Sequence, residues 1–400
     1  MAGQALTGDP VPTDGALPAA ATAQLTSTPL SFYIHVPYCA ARCGYCDFNT
    51  YTADQVRGAG PEVYLAAAHA ELELAARVLG DQAPSVGTVF FGGGTPTLLR
   101  PEQLGGLLQH VKQLFGLRPD AEVTTEANPE TLDAAYLDAL LAAGINRLSM
   151  GMQSASPHVL RVLDRVHTPG RALEMAKLAH ACGFTDVSLD LIYGTPGESL
   201  ADWETSLSAA LSVEPEHLSA YALIVEDGTA LARRIRHGEL PMPDDDDLAD
   251  KYLLTEEALT AAGLENYEIS NWAKPGHEAR HNIAYWTGAN WWGIGPGAHS
   301  HVGGVRWWNV RHPRSYADRL AVNQSPGQVR EVLSDEDRRV ERVLLELRLA
   351  SGLPVDVLTP TERARLPQLR DRGLIVAGDP IRLTLPGRLL ADGIVRELLD

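Results

Sequence analysis

The chain has 400 residues, of which 45% are hydrophobic, so it can bury a large core. Its formal net charge of −18 argues against non-specific binding to nucleic acid or to anionic membranes, because both depend on basic patches. No apolar run approaches the roughly 18 residues that a membrane-spanning helix needs. No lysine or arginine precedes Arg42, which is unlike the basic start of a secretory signal.

Residues 1–29 are rich in Ala, Thr, Pro and Gly without periodicity, and we predict a disordered tail. Strands and helices then alternate through residues 30–245. The predicted strands are 31–36, 88–91, 122–126, 147–151, 186–192 and 217–224. The predicted helices are 61–79, 101–115, 129–143, 157–163, 170–182 and 202–212. Such alternation implies parallel strands joined by right-handed crossovers.

Polar residues that suggest chemistry follow five of these strands, always at the carboxyl end. A barrel of parallel strands collects its functional residues at that rim, whereas an open sheet collects them at one switch point. We therefore predict an α/β fold with a partial (β/α)6 barrel, because there are six units rather than eight.

The remaining sequence divides into three parts. Residues 246–312, which hold six of the seven tryptophans, are predicted to cover the open side of the barrel. Residues 313–333 are predicted to be a linker, and residues 334–400 a small winged-helix-like α+β module. That module has 12 acidic residues and 11 arginines, so docking against the barrel is favoured over nucleic-acid binding.

Three of the four cysteines, Cys39, Cys43 and Cys46, form a C-x3-C-x2-C pattern directly after the first strand. Three thiolates on one loop can hold three corners of a [4Fe–4S] cluster and leave one iron open. A zinc loop is the alternative, although zinc usually takes paired C-x2-C units and a fourth ligand. Cys182 lies in a helical stretch and is predicted to be a core residue. Because the thiols must stay reduced, we expect a cytoplasmic protein.

This spacing, followed by an aromatic residue, resembles the signature of the radical S-adenosylmethionine (SAM) superfamily. The longer string from Tyr33 to Cys39 is similar to the coproporphyrinogen dehydrogenase branch (HemN) and its relatives. The resemblance implies that the open iron chelates SAM and that an electron from the cluster cleaves it. It also implies the three-quarter barrel.

The resemblance implies a cofactor pocket as well. The T-E-x-N-P-E, G-x-Q-S and D-L-I-Y-G-x-P contexts of this branch are all present, and so is a glycine run at 92–94. Glycine lets the backbone approach a ligand closely. The residues that the resemblance assigns to SAM binding are Tyr33, Tyr45, Gly93, Gly94, Thr95, Glu126, Gln153, Arg165 and Asp190.

The string H-N-x-x-Y-W at 281–286 is similar to a motif of the HemW group of haem-binding relatives, as is the glycine-rich stretch 293–300. From the residues alone, core packing is the alternative. The resemblance implies that His281 is the first candidate for a haem contact and His299 the second, since imidazole is a common axial ligand of haem iron.

One residue separates the branches. Coproporphyrinogen dehydrogenases carry a further cysteine where this chain has Phe48, which counts against decarboxylase activity. We therefore predict a radical SAM-fold haem chaperone that binds a [4Fe–4S] cluster, SAM and haem, and delivers haem to an acceptor protein. An electron donor is the second expected partner. The alternative is an oxygen-independent coproporphyrinogen III oxidase, and we assign no catalytic residue.

Overall fold

The computed structural model describes residues 8–25, 29–56, 58–165 and 168–399. The strands are β1 Asp9–Pro10, β2 Leu30–Val36, β3 Val86–Gly93, β4 Leu117–Ala127, β5 Arg147–Gln153, β6 Asp186–Tyr193, β7 His217–Ala222, β8 Glu265–Glu268, β9 Asn271–Ala273, β10 Asn290–Ile294, β11 His299–Val302, β12 Val305–Asn309 and β13 Gly327–Val332.

Helices pack between and around these strands. They are α1 Ala19–Thr22, α2 Pro61–Leu79, α3 Pro101–Phe115, α4 Ala134–Ala143, α5 Pro157–Val162, α6 Arg171–Cys182, α7 Leu200–Leu211, α8 Ala230–Arg236, α9 Asp245–Ala261, α10 Arg280–Trp286, α11 Pro313–Ala321, α12 Asp335–Glu346, α13 Pro360–Arg363, α14 Leu366–Asp371, α15 Leu385–Leu389 and α16 Ala391–Leu399. Among the described residues, no helix is both long enough and apolar enough to cross a bilayer.

Six parallel strands, β2 to β7 in sequence order, form the centre of one curved sheet. Strand β10 adds parallel to β2 on one side, and β9 adds antiparallel to β7 on the other. The outermost strands, β1 and β8, are not paired with each other in the sheet order. The predicted α/β partial barrel is therefore confirmed.

The parallel strands alternate between two kinds of side chain. In β2, Phe32 and Ile34 are fully buried against the surrounding helices, whereas Ser31, Tyr33 and His35 make their contacts inside the barrel. Successive side chains of a strand point to opposite faces, so this alternation puts an apolar face toward the helices and a polar face toward the interior. We call the carboxyl ends of β2 to β7 the rim and their amino ends the floor.

Helix α10 packs against the interior face of β3, near the floor. Its backbone N–H groups at Arg280 and His281 donate to the carboxylate of Glu122, each at 2.9 Å. The His281 ring stacks on Phe90, with ring centroids 5.2 Å apart. Part of the segment 246–312 therefore enters the barrel near its floor.

Two predicted irregular segments are regular in the structure. Residues 8–25 lie within the predicted disordered tail, yet β1 pairs with β13 and Leu25 is fully buried in the main core. Residues 1–7 and 26–28 of that tail lie outside the described residues. The predicted linker 313–333 contains α11 and β13. Helix α11 buries Tyr316, Ala317 and Leu320 against other apolar side chains, and β13 pairs with β12 and β1.

The C-terminal residues have their own apolar core, which is built around Val343, Leu369 and Ile394. The predicted hairpin appears as a short antiparallel bridge between Ile375 and Leu383. Arg388 ties this module to α9 through Glu256, with Nη1 2.9 Å from Oε2. The contact follows the expectation that the module docks on the rest of the chain.

Candidate functional site

The three cysteines lie on the loop that follows β2 at the rim. The Cys39 N–H donates to the carbonyl of Tyr51 at 3.0 Å, and the Tyr51 N–H donates to the carbonyl of Pro37 at 2.8 Å, so both ends of the loop are joined. All three thiols are free and half-buried. Burial raises the pKa of the Cys39 and Cys46 thiols, so metal binding has to supply the free energy of their deprotonation.

The surroundings of the loop fit an iron–sulfur cluster. Arg165 donates from Nη1 to the sulfur of Cys43 at 3.3 Å, and the Thr95 side chain opposes the rise in the pKa of the Cys39 thiol. In the part of the chain that the structure describes, no three His, Cys, Asp or Glu side chains are grouped to hold one metal ion. A [4Fe–4S] cluster binds each thiolate through a different iron, so its cysteines need not converge on one point.

The glycine run after β3 lies directly against this loop. Gly93 has a φ of +109°, and a Cβ there would lie 2.5 Å from the His35 ring. A Cβ on Gly94 would lie 2.3 Å from the carbonyl oxygen of Tyr38. Only glycine fits these positions, so backbone rather than side chain faces the cysteine loop.

Gln153 and Arg165 meet at the end of β5, around Gly151. A Cβ on Gly151 would lie 2.4 Å from the Gln153 side-chain nitrogen and 2.7 Å from Nη2 of Arg165. Gln153 has a φ of +64°, which is uncommon for a residue with a side chain and typical of ligand sites. Arg165 Nε is buried and makes no hydrogen bond within the described residues. The guanidinium therefore keeps one donor for a ligand.

Glu126 and Asp190 form a pair of carboxyl groups at the rim. Burial, with the neighbouring Asp190 as the second cause, raises the pKa of Glu126 to about 8, although the Gly93 N–H donates to Glu126 at 2.9 Å. Burial also raises the pKa of Asp190, and the hydroxyl of Ser149 opposes this by donating to both of its oxygens. Such carboxyl groups can accept from, or donate to, the hydroxyls of a ligand.

The two predicted tyrosines lie near these carboxyl groups, Tyr33 near Glu126 and Tyr45 near Asp190. Tyr45 is half-buried, and its pKa is raised by burial and opposed by the nearby Arg165 guanidinium. Tyr33 donates from its hydroxyl to Nδ1 of His35 at 2.9 Å, since the other ring nitrogen of His35 donates to the carbonyl of Asn49 at 3.0 Å. Burial lowers the pKa of His35 to about 4, so the ring is neutral at pH 7.

A cavity of about 310 Å³ opens beside the cysteine loop. That volume lies at the lower end of the range for ligand sites. It shares Glu126 and Gly93 with the cofactor rim described above. The lining residues are Tyr33, His35, Phe48, Asn49, Gly93, Glu126, Tyr285, Trp291, Gly297, Ala298 and His299. The cavity is therefore continuous with the rim and largely aromatic.

His281 lies below this cavity rather than on its wall. It is 2% exposed, and both ring nitrogens are engaged: Nδ1 lies 2.7 Å from Thr88 Oγ1, and Nε2 lies 2.9 Å from Tyr285 Oη. The Thr88 hydroxyl donates to Ser31, so His281 Nδ1–H donates to Thr88 and Nε2 accepts from Tyr285. Burial lowers the pKa of His281 to about 3, which keeps the ring neutral. In this arrangement His281 orients the Tyr285 hydroxyl.

His299 lies on the wall of the cavity and is exposed to solvent. Its ring stacks on Trp308, with centroids 5.7 Å apart, and makes no hydrogen bond to the described residues. Desolvation by the surrounding protein lowers the pKa of His299, and the nearby Arg311 and Arg306 guanidinium groups lower it further. The imidazole is therefore neutral at pH 7, with its nitrogens open to a ligand.

The loop that carries His299 is held from beneath by Glu71 of α2, a residue that the sequence patterns did not single out. Glu71 is fully buried and accepts from the N–H of Gly295 at 2.8 Å, from Asn309 Nδ2 at 2.7 Å and from the Tyr316 hydroxyl at 2.6 Å. Burial raises its pKa to about 7, and these donors oppose the rise. A glutamate inside an apolar helical stripe is the sequence signal that could have revealed it.

Other cavity residues were also missed at the sequence level. His35 and Asn49 flank the cysteine pattern, and Tyr285 and Trp291 stand near the H-N-x-x-Y-W motif. Their nearness to recognised motifs was the available signal. Sequence proximity alone does not show which neighbour of a motif faces a cavity.

Comparison with known proteins adds a family context. Residues 33–210 match the family model described as the Radical SAM superfamily. The chain is 53% identical over 378 residues to "Heme chaperone HemW" of Mycobacterium tuberculosis, with 94% of this chain and 96% of that protein covered. It is 35% identical over 382 residues to the protein of the same name from Bacillus subtilis, with 92% and 99% covered.

Among solved structures, the chain is similar to one described as "Coproporphyrinogen III oxidase (HemN) from Escherichia coli is a Radical SAM enzyme." The TM-score is 0.81 and the sequence identity 26%, with 94% of this chain and 92% of that chain covered. The shared architecture therefore extends over nearly the whole chain, beyond the residues of the family model.

Proposed function

The chain belongs to the HemW haem-chaperone family of the radical SAM superfamily, and from that premise we propose how its residues bind three cofactors. It is a radical SAM-fold haem chaperone that binds a [4Fe–4S] cluster, SAM and haem, and passes haem to an acceptor protein. The observation that carries the haem assignment is the cavity beside the cysteine loop, whose wall presents a neutral histidine with open ring nitrogens.

Cys39, Cys43 and Cys46 are the residues that would hold the cluster. When bound, the cluster can supply an electron to SAM. Arg165 compensates thiolate charge at Cys43 and has a free Nε–H for the SAM carboxylate. We assign Glu126 and Asp190 to the ribose hydroxyls of SAM and the Gly93–Gly94–Thr95 backbone to its methionine end. The Gly93 N–H···Glu126 hydrogen bond and the absence of room for a Cβ at Gly93 and Gly94 support this assignment.

For haem, the geometry supports a direct role for His299 and an indirect role for His281. His299 faces the cavity with no competing hydrogen bond, whereas both nitrogens of His281 are engaged in holding Tyr285 and Thr88. An imidazole must give iron an open lone pair, so His299 is the better axial ligand in this conformation. The H-N-x-x-Y-W motif then acts through the orientation of Tyr285.

A haem titration of the anaerobically reconstituted protein tests this function. We expect the Soret band of added haem to shift on binding, the shift to be lost in His299→Ala, and the band position to be kept in His281→Ala. Absence of any Soret change with the unaltered protein would sink the haem-chaperone proposal. Loss of the shift in His281→Ala but not in His299→Ala would reverse the two roles.

Oxygen-independent coproporphyrinogen III oxidation is the second candidate, because the structural likeness to HemN covers nearly the whole chain. Phe48 argues against it. This side chain is 57% exposed on the cavity wall, where the dehydrogenase branch has its extra cysteine. Anaerobic incubation with coproporphyrinogen III, SAM and a reductant should leave the porphyrinogen unchanged. Formation of protoporphyrinogen would make the chain an oxidase.

The partners and compartment are part of the same proposal. Delivery requires a haem-acceptor protein, and reduction of the cluster requires an electron donor. The cysteines are all free, as a cluster loop requires, which favours the reducing cytoplasm. Cross-linking of the haem-loaded chain in cells, followed by identification of the captured haem proteins, would test the acceptor. Capture that is equal with and without haem would count against delivery.

A further inference from the structure

Asn49 joins the cysteine loop to two distant segments that border the cavity. Its side-chain nitrogen Nδ2 donates to the carbonyl of Pro296 at 3.0 Å and to the carbonyl of Arg311 at 2.8 Å, which are 247 and 262 positions away in sequence. Its side-chain oxygen accepts from the Tyr51 hydroxyl at 3.1 Å, and its backbone carbonyl accepts from Nε2 of His35 at 3.0 Å. Both amide hydrogens of Asn49 are therefore used to hold other parts of the backbone.

The two segments that Asn49 holds lead to the ring pair on the cavity wall. The first is the turn between β10 and β11, and His299 is the first residue of β11. The second follows β12, whose Trp308 pairs with His299 across the strands and stacks on its ring. Gly297, in the turn, has a φ of +74°, and a Cβ there would lie 2.6 Å from Nδ2 of Asn49. The turn can therefore approach the amide this closely only because it has glycine there.

The same turn has a second anchor, Glu71, and the two anchors differ in their surroundings. Glu71 is fully buried and accepts from the N–H of Gly295. Asn49 lines the cavity, and its bond to the carbonyl of Arg311 is exposed. Water can replace an exposed hydrogen bond at little cost, so the amide of Asn49 adds less to stability than the carboxyl of Glu71. Its main effect is on the position of the turn at the cavity.

We propose that Asn49 is a positioning residue for haem, which holds the turn before His299 against the cysteine loop so that the imidazole reaches the iron. This rests on the proposed haem-binding function and names the residue that places the axial ligand. Phe48 precedes Asn49 in the chain and lines the same cavity. One loop therefore supplies an aromatic contact for the macrocycle and the anchor for the histidine that binds its iron.

The test is a haem titration of the full-length chain, followed by Soret absorbance and by electron paramagnetic resonance of the ferric iron. We expect Asn49→Ala to bind haem about tenfold more weakly, because two hydrogen bonds are lost, and to move both signals toward those of His299→Ala. The same substitution in a His299→Ala background should change neither signal further, because Asn49 acts through that ring. Tyr51→Phe keeps both amide donors of Asn49 and should keep the signals of the unaltered chain.

Asn146→Ala is the matched control. The side chain of Asn146 also bridges two backbone groups, accepting from the Val123 N–H at 2.8 Å and donating to the carbonyl of Ala121 at 2.9 Å. It directly precedes β5 and therefore lies at the floor, away from the cavity. We expect this variant to bind haem with the affinity and the signals of the unaltered chain.

Each titration is run on the reconstituted and on the cluster-free chain, and Asn49→Ala should have the same effect in both. The positioning role is overturned, while haem binding stands, if Asn49→Ala behaves like the unaltered chain or if Asn146→Ala has an equal effect. An effect confined to the reconstituted chain would trace it to the cluster and overturn the role as well. If the unaltered chain shows no Soret change, the proposed function fails first, and this assignment fails with it.

Discussion

Histidines occur at both the floor and the rim of the barrel. Those at the floor, like His35 at the rim, are bonded through both ring nitrogens, whereas His299 at the rim is not. At the floor, His217 has Nδ1 2.7 Å from the Ser188 hydroxyl and Nε2 2.8 Å from the Tyr267 hydroxyl, and His281 is likewise bonded through both nitrogens. At the rim, His299 makes no hydrogen bond to the described residues. Arg165 leaves a buried donor open there.

This difference suggests that fully bonded side chains in the barrel stabilise the fold, whereas those with open positions serve ligand binding. A buried polar group with all its partners supplied by the protein holds elements together, and removing it leaves those partners unpaired. A polar group with open positions at a cavity contributes little to folding and is available to a ligand. We therefore expect floor variants to lose stability and rim variants to lose ligands. Five substitutions test that separation.

The largest effect is expected at the cysteine loop. Cys43→Ala removes a thiolate from the rim, so anaerobic reconstitution should give almost no bound iron and no broad visible absorption. The free energy of unfolding of the cluster-free chain should change little, because Cys43 is half-buried and lies on a loop. Cys182→Ala is the control and should load iron normally. A full cluster in Cys43→Ala would refute the ligand assignment.

The next largest effect is expected for Glu71→Ala, because Glu71 lies beneath the loop that carries His299. It leaves three buried donors, on Gly295, Asn309 and Tyr316, without their acceptor, and we expect a loss of about 3–5 kcal/mol in the free energy of unfolding. Urea denaturation measures it. Glu73→Ala, an exposed glutamate on the same helix, should change stability by less than about 0.5 kcal/mol. Equal effects of the two would show that the buried network does not hold the loop.

His281→Ala and His299→Ala test the comparison most directly. His281→Ala leaves the Thr88 and Tyr285 hydroxyls without a partner, so it should cost about 1–3 kcal/mol of folding free energy. His299→Ala should cost less than about 0.5 kcal/mol, because its ring has no hydrogen bond to lose. The urea concentrations at the unfolding midpoints of the two cluster-free variants measure this difference in stability. The reverse order would mean that floor and rim are not separated in this way.

The last prediction is a pH dependence at the rim. The pKa of Glu126 is raised from 4.5 to about 8 in the fold, so the folded chain binds more protons than the unfolded one between those values. Stability should therefore fall as pH rises through this window, by up to about 1.4 kcal/mol per pH unit for this group. Glu126→Gln should flatten that slope in denaturation series from pH 5 to 8. An unchanged slope would assign the dependence to Asp190 or Glu71.

Much of the barrel could be predicted from sequence because its helices and strands are specified by residues close together in the chain. The helices 61–79 and 101–115 have the predicted bounds, since each has proline in its first turn and an apolar stripe. The position of the rim followed from the strand order alone. These features need no knowledge of which distant segments meet.

What could not be predicted depends on long-range pairing. The H-N-x-x-Y-W motif does not reveal that α10 enters the barrel and buries His281 against Thr88, which is 193 positions away in sequence. Residues 8–25 have no periodic pattern of apolar residues either. They are ordered through the pairing of β1 with β13, which the sequence does not reveal. The residues around His281 and His299 are brought there by the tertiary structure. Which of the two histidines is the better candidate for a haem ligand could therefore be decided only from the structure.

The two-residue strand β1 has a consequence for how the molecule behaves in solution. It covers the outer edge of β13, and residues just beyond it continue the cover, since the Ser325 N–H donates to the carbonyl of Thr13 at 2.7 Å. Pro10 cannot donate a backbone hydrogen bond, and Asp9 is charged and exposed, so the new edge is a poor template for another strand. Without residues 8–25, the backbone N–H and C=O groups of β13 would form an open edge, and we expect molecules to associate strand to strand.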